Sequence, residues 1–399
     1  FEAGDTGLMD FELTEEQKLV QASVRQFMLN EIAPDTERID REARFPEGIW
    51  RRLGELGLLG ATVDEAYGGA GLDLLTGVLI VEEMARTCPA LALSYAAHAN
   101  LCADNLNRNA EDPQKRRYLP GLCSGDLVGG MALTEPNAGS DAVSITTRAR
   151  KDGDGFVLDG TKMFITNAPI ADVLIVYAKT APEKKSKGIT AFIVEKGCPG
   201  FSVGPELEKM GNRGSPTSEV IFEGCRVPAE NVIGEVNGGV RIMMGGLDVE
   251  RAFVAGEALG IAEGAFELAT RYSAEREQFG KRIYNFQMIK AKLADMYTEI
   301  EAARGLVYRA AIEADKSVRG GKGTTVHTVA AAAILFAAET AGRVVDQALQ
   351  IHGGYGYMTE YPVNRFYRDA KLYEIGAGTS EIRRLVIADE IIRRGPEFA

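Results

Sequence analysis

Between Gln350 and Arg384 the chain reads QIHGGYGYMTEYPVNRFYRDAKLYEIGAGTSEIRR. Gly353, Gly354 and Gly356 remove side chains where backbone can approach something flat or large. Arg365, Arg368 and Asp369 follow at near-helical spacing. Gly376, Ala377 and Gly378 then interrupt a second helical pattern just ahead of Thr379 and Ser380, which are suited to cap a helix carrying Glu381 to Arg394. A turn with free N–H groups at a helix start suits a phosphate, a hydroxyl or a thioester oxygen. Two helices joined by plain glycine-rich turns satisfy the same residues, so this stretch taken alone leaves both readings open.

The 399 residues suffice for two or three domains with ample core. At 45% hydrophobic and 26% charged they read as a globular protein in water. A net charge of −12 argues against a nucleic-acid surface, yet leaves room for a polyanionic ligand held by a few local cations. Cys88, Cys102, Cys123, Cys198 and Cys225 show no CxxC and no histidine at metal-ligand spacing, which fits a reducing compartment. With His98, His327 and His352 the only histidines, a zinc site is not expected, and a Ser-His-Asp triad would have to use one of three scattered rings. No apolar run reaches about 18 residues without a charge, so no transmembrane helix is expected. Phe1 to Leu8 precede Met9-Asp10-Phe11 and are expected to be a non-native addition.

From Thr14 to Ala33, the residues Leu19, Val20, Val24, Phe27, Met28 and Ile32 share one helical face behind a Thr14-x-x-Gln17 capping box, and Pro34 is expected to end that helix. Further helices are expected at 46–59, 74–88 and 91–107, giving a helical N-terminal domain over 9–126. Short β-rich runs at 145–150, 156–158, 173–178, 189–194 and 219–227 alternate with Gly, Asp and Pro. That spacing predicts a small antiparallel barrel or sandwich over 127–238 rather than a parallel sheet. Helical periodicity returns at 239–275, 285–316, 325–351 and 379–394. It predicts an antiparallel four-helix bundle over 239–399, with Asp315 to Thr325 as a mobile connection, and an α+β class for the whole.

Three short strings within this frame can carry chemistry. MALTEPNAGSD (Met131 to Asp141) is a strand running into a Pro-Asn-Ala-Gly turn, able to lay amides along a heterocycle or simply to end a strand. In TKMFITNAP (Thr161 to Pro169) an aromatic stands two residues before a threonine, which also describes a core ring beside a solvated hydroxyl. EREQFG (Glu275 to Gly280) puts an arginine in a turn, where a solvated cation is the plain reading. No GxGxxG follows a strand, and Gly321-Lys322-Gly323 lacks the spacing of a phosphate loop.

Together these strings resemble the acyl-CoA dehydrogenase family, flavoproteins that form a trans double bond between Cα and Cβ of an acyl-CoA. Gln350, Gly353, Gly354, Gly356, Tyr357, Glu360, Arg365 and Asp369 meet the fixed positions of one family signature, and Ala132 to Ser144 those of another. The resemblance extends from Asp10 to Arg394. It implies FAD as cofactor, an acyl-CoA as substrate, an electron-transferring flavoprotein as acceptor and a homotetramer, with no metal, nucleic acid or membrane. It further implies that Leu133 and Thr134 touch the flavin pyrimidine ring, Phe164 stacks on the flavin, Thr166 meets its N5 and O4 edge, and Ser140 contacts the pantetheine arm. Arg276 would reach the FAD pyrophosphate of a neighbouring subunit and Phe279 its adenine end, with Gln350, Gly354, Thr379 and Glu381 lining the dinucleotide from the opposite side.

Removing a proton α to a thioester needs a carboxylate in a dry pocket, where desolvation raises its pKa toward the working range. Many family members carry that glutamate immediately before the Gly-Thr-Ser; here the place is Ala377, which has no titratable group. A subset that includes the isovaleryl-CoA enzymes carries it on the first C-terminal helix, and LDVER (Leu247 to Arg251) resembles that form. Glu250 is thus the candidate base, Arg251 a residue that orients the site, and the Ala377 N–H a donor to the thioester oxygen. From helix pattern alone, a surface glutamate paired with a neighbour is the plainer reading of Glu250. Gly376, where medium-chain relatives have tyrosine, opens volume for a branch near Cβ, while Phe253, Tyr355 and Tyr367 depart from the isovaleryl-type pattern. The resemblance therefore implies dehydrogenation of a short or branched acyl-CoA, as in leucine catabolism, in a bacterial cytoplasm or a eukaryotic mitochondrial matrix. A bulkier branched, terpenoid or aryl-substituted acyl group, such as citronellyl-CoA or an arylsuccinyl-CoA, and a non-catalytic scaffold are the alternatives.

Overall fold

A computed structural model of the chain describes residues 12–318 and 326–395; Phe1 to Leu8 and residues 319–325 of the glycine-rich connection lie outside the described residues. Thr14 opens α1 (Glu15–Phe27) by reciprocal capping: its hydroxyl accepts from the Gln17 N–H at 3.2 Å, and the Gln17 side chain accepts from the Thr14 N–H at 3.0 Å. The helix does not run regularly to Ala33. A π-helical turn (Met28–Ile32) and a 3₁₀ turn (Ala33–Asp35) lead past Pro34 into α2 (Thr36–Glu42), which the apolar pattern did not reveal. The helix expected at 46–59 is the shorter α3 (Ile49–Glu55). Beyond α4 (Leu74–Thr87), the run expected as one helix over 91–107 is α5 (Pro89–His98), a π-helical turn (Ala99–Asp104) and α6 (Asn105–Asn109). Helix α7 (Asp112–Ser124) was hidden by proline at its start and by Pro120 inside it.

The middle strands are β1 (Gly129–Ala132), β2 (Arg148–Asp152), β3 (Gly155–Thr166), β4 (Val173–Lys179), β5 (Ile189–Glu195), β6 (Phe201–Val203), β7 (Thr217–Pro228) and β8 (Val232–Ile233). They order as β6-β7-β3-β2-β4-β5-β8, with β1 also beside β4. The sheet is mixed, which corrects the antiparallel expectation. β1 runs parallel to β4 over Gly129 to Ala132, and β2 meets β4 in parallel at Arg148 and Lys179. A parallel pair needs a long crossover, and the chain between β1 and β4 supplies one that contains the β2–β3 hairpin. Residue alternation along single strands cannot show that return.

The C-terminal region is helical: α8 (Gly239–Glu275), a small hairpin of β9 (Glu277–Gln278) and β10 (Lys281–Arg282), α9 (Gln287–Val318), α10 (Val326–His352), α11 (Val363–Ala370) and α12 (Ser380–Arg394). Helix α10 is apolar and long enough to cross a membrane, but its apolar side lies against α8, α9 and α12. Helix α8 also packs across α4, so it belongs to two layers and is buried along most of its length.

That double burial rests on backbone approach. Gly256, Gly260 and Gly264 recur every fourth residue, so they share one face of α8. A Cβ at Gly260 would collide with the Glu82 carbonyl of α4, one at Gly264 with the Arg86 carbonyl, and one at Gly256 would sit 2.8 Å from the Val78 side chain. The same crossing is tied by charge: Arg304 of α9 meets Glu263 at 2.6 Å and Glu82 at 3.2 Å, while Arg86 meets Glu263 at 3.0 Å. Gly260→Ala should therefore destabilise the protein by about 1–3 kcal/mol through overpacking. Gly305→Ala on α9, where nothing lies within 4 Å of the added methyl, should stabilise it by roughly 0.5–1 kcal/mol. Chemical denaturation of both variants checks the pair of signs.

Candidate active site

The turn Tyr373 to Thr379 and the N-terminal half of α8 meet around one carboxylate. Glu250 is buried, and among the described residues its Oε2 has no hydrogen-bond partner. Burial raises its pKa to about 7, against the pull of the neighbouring cations Arg251 and Arg383. Arg251 is buried too and donates from Nη1 to Asp248 at 3.2 Å, while Asp248 also meets His327 Nδ1 at 2.6 Å. Its Nη2 faces the glycine turn, 3.9 Å from where a Cβ on Gly378 would stand. A surface glutamate, the plainer expectation from helix pattern, does not describe this side chain.

The turn itself is unusual backbone. Ala377 has φ +53°, a left-handed conformation that disfavours any side chain, and Gly378 follows at +89°. Thr379 then caps α12 by accepting from the Ile382 N–H at 3.3 Å. Arg383 reaches back to donate to the Tyr373 carbonyl at 2.8 Å and the Gly376 carbonyl at 2.5 Å. Among the described residues the Ala377 N–H donates to no acceptor. Gly376 is half-buried, with nothing nearer than the Leu372 carbonyl at 3.4 Å from an added Cβ.

A second group of residues forms where β1 runs on beside β3. His98 holds the start of β1, since its Nδ1 accepts from the Gly129 N–H at 2.9 Å and its Nε2 donates to the Leu122 carbonyl at 3.0 Å. Burial pulls that ring's pKa down to about 4, so it stays neutral. Fully buried Lys162 donates to the Leu133 carbonyl at 3.0 Å and to Glu135 at 2.9 Å, and the Met163 N–H donates to the Thr134 carbonyl at 2.8 Å. These bonds set Leu133 and Thr134 beside the end of β3. There the register slips between Lys162 and Ile165, and Phe164 stands at φ +62° with 67% of its surface exposed. Such a bulge re-aims a side chain out of the sheet. Thr166 ends the strand half-buried, and Ser140 lies exposed beyond the turn at Glu135 to Ala138.

Leu133 also lines a cavity of about 10 Å³ with Asn100, Asn105, Tyr177, Met243, Gly246 and Leu247. Gly246 and Leu247 lie one helical turn before Glu250, so this narrow cleft adjoins that carboxylate. Tyr177 and Asn100, whose Nδ2 is buried without a partner among the described residues, had no signal in the sequence beyond their place in ordinary apolar runs.

The remaining expected contacts lie elsewhere. Arg276, Gln278, His352, Gly353, Gly354 and Tyr355 line a cleft of about 470 Å³, with the Arg276 guanidinium 5.3 Å from the Tyr355 ring. Arg276 and Gly354 thus share one cleft, because the hairpin β9–β10 and the end of α10 are neighbours. Phe279 at the hairpin tip is 92% exposed, and Gln350 is exposed at the end of α10. Phe164, Thr166, Thr379 and Glu381 do not line this cleft. The residues fit a dinucleotide in two parts. Open space surrounds Gly353 and Gly354, and among the described residues Arg276 has an aromatic face but no carboxylate beside it, which suits a pyrophosphate.

The chain matches three domain families: "Acyl-CoA dehydrogenase, N-terminal domain" over residues 14–126, the "middle domain" over 130–225 and the "C-terminal domain" over 237–392. It is 48% identical to the mitochondrial isovaleryl-CoA dehydrogenase of Pongo abelii, over 94% of this chain and 88% of that one. It is 45% identical to the short-chain-specific acyl-CoA dehydrogenase of Clostridium acetobutylicum, over 96% of this chain and 100% of that one. The structure of butyryl-CoA dehydrogenase from Megasphaera elsdenii superposes with a TM-score of 0.92 at 42% identity, covering 96% of this chain and all of that one. Matches of this extent across all three regions, on top of the buried carboxylate and the glycine turn, leave one conclusion: the chain belongs to the acyl-CoA dehydrogenase family, the FAD-dependent oxidoreductases that act on a CH–CH bond.

Proposed function

We propose that this acyl-CoA dehydrogenase acts on a short branched acyl-CoA of the isovaleryl type, with Glu250 as the base that removes the α-proton. The burial of Glu250, with one oxygen unpartnered and a pKa raised to about 7, is the observation that carries the reading. A carboxylate left without a hydrogen bond in a dry site is ready to take a proton at neutral pH. The Ala377 N–H, which has no acceptor of its own, holds the thioester oxygen as negative charge develops there. Arg251 keeps Glu250 from drifting higher in pKa and orients the glycine turn. Bound FAD would supply the acceptor for the hydride leaving Cβ. Leu133, Thr134, Phe164 and Thr166 would hold its ring system, and Ser140 the pantetheine arm. Arg276, Phe279, Gln350 and Gly354 would hold the dinucleotide end. Thr379 and Glu381 stand with the glycine turn, outside the Arg276 cleft, so a second copy of the chain would join the two parts, in keeping with a homotetramer. The electrons then require a soluble acceptor, for which an electron-transferring flavoprotein is the proposed partner.

The acyl group follows from volume. A Cβ on Gly376 would meet only Leu372, at ordinary contact distances from 3.4 Å, so glycine keeps volume free that a tyrosine would take. The three aromatic departures are absorbed elsewhere: Phe253 packs on Gly77 and Tyr95, Tyr355 lies in the Arg276 cleft, and Tyr367 lines a surface groove with Gly342 and Lys371. None of them narrows the space at Gly376.

Glu250→Gln should keep its FAD and bind acyl-CoA, yet lose dehydrogenation by about 10³-fold or more; turnover near the wild-type rate, measured by flavin bleaching, refutes the base assignment. Because the base works deprotonated, kcat/KM of the wild-type enzyme should fall as pH drops below about 7 and level off above it. A flat profile from pH 5 to 9 would count against Glu250. Gly376→Tyr should cut kcat/KM for isovaleryl-CoA by roughly 10-fold to 200-fold while sparing butyryl-CoA, a difference that a two-substrate comparison reads directly.

A further inference from the structure

We propose that Arg383 is a positioning residue that grips and polarises the Gly376–Ala377 peptide, making the Ala377 N–H a stronger donor toward the thioester oxygen. The inference rests on the reading that this N–H holds that oxygen.

The Gly376 carbonyl and the Ala377 N–H belong to one amide. A guanidinium donating to that carbonyl at 2.5 Å draws electron density through the C–N bond and leaves the N–H more positive. Its other terminal nitrogen holds the Tyr373 carbonyl at 2.8 Å. The rigid fork therefore pins the turn at two carbonyls three residues apart. Between that grip and the Thr379 cap lies Ala377 at φ +53°, a conformation that persists only where the surroundings over-determine it.

The placement of Arg383 is poor for stability by every local criterion. Its side chain is 0% exposed and its Nε has no partner among the described residues. Its own N–H donates to the Thr379 carbonyl, so it stands in the first turn of α12, where the helix dipole disfavours a cation. Arg251 repels it, and both of its terminal nitrogens are spent on carbonyl oxygens rather than on a carboxylate. Burial and Arg251 lower its pKa to about 10, which still leaves it charged at neutral pH. A helix start needs no buried guanidinium, and an apolar side chain would fill the same space without the desolvation. The charge makes sense beside an oxygen that turns negative during the reaction, with Glu250 the acid that acts on it most strongly in the resting site.

The test compares two ligands on the FAD-loaded protein: an acyl-CoA thioester and the matching thioether, which lacks the carbonyl oxygen. Both are titrated in a Glu250→Gln background so that turnover does not intervene. Arg383→Met should bind the thioether within about twofold of its parent and lose preference for the thioester by about tenfold or more. In the active background the same variant should lose about 10²-fold in kcat with a much smaller change in KM. Arg383→Lys, which keeps the charge, should retain most of the thioester preference and covers the case in which Arg383→Met does not hold FAD. Equal weakening of both ligands in the variants, or an unchanged thioester preference, overturns the inference and leaves the base assignment standing. Normal turnover of Glu250→Gln alone would instead refute the base, and the ligand ratio would still report on the turn.

Discussion

The contact between the backbones of α4 and α8 decides how dry the site is. Gly256, Gly260 and Gly264 let the two helices approach until the Glu82 and Arg86 carbonyls fill the space a methyl would need. At that separation α8 is enclosed by α4 on one side and by α9 and α10 on the others, and it is buried almost throughout residues 249–265. Glu250 inherits its raised pKa from this enclosure rather than from any partner, because burial is the largest influence on it and the two nearby arginines act in the other direction. A looser crossing would wet the carboxylate and return it toward an ordinary glutamate.

Charge inside the enclosure is arranged in depth. Seven residues beyond Glu250, Glu257 is buried on the same helix, and its pKa is raised to about 8 by burial, against the hydroxyl that Tyr373 donates at 2.8 Å. One carboxyl is therefore anchored to the glycine turn, and the other is left with a bare oxygen. Arg251 and Arg383 act on Glu250 as cations, so the site holds two cations and two carboxyl groups whose pKa values burial raises to about 7 and about 8. On the proposed assignment, such a set would favour the moment when a proton has moved to Glu250 and negative charge sits on a bound oxygen.

The middle sheet contributes geometry more than charge. Its parallel pairing of β1 with β4, the buried Lys162 and the bulge in β3 together bring Leu133 and Thr134 alongside Phe164. The exposed Phe164 and the exposed Phe279 are apolar surfaces far apart in the sequence, and a flat ligand with a long dinucleotide tail would give each a cover.

Local patterns in the chain settled the helical and β regions, the capping of α1 by Thr14 and of α12 by Thr379, and the limits of α8, α10 and α12 to within a residue or two, because caps and periodicity act over a few neighbours. The likeness of short strings to a family, rather than caps or periodicity, pointed to Glu250, the turn at Ala377 and the strings around Leu133 and Phe164. Folding in three dimensions decided the rest. The short helices α2 and α7 form against neighbours despite weak or proline-broken patterns, and a parallel strand pair depends on a crossover of about forty residues. The grouping of Arg276 with Gly354 and the aim of Arg383 at the Gly376 carbonyl depend on how distant helices pack. The dryness around Glu250 does too, because desolvation is a property of everything that surrounds a side chain and is written in no single stretch of residues.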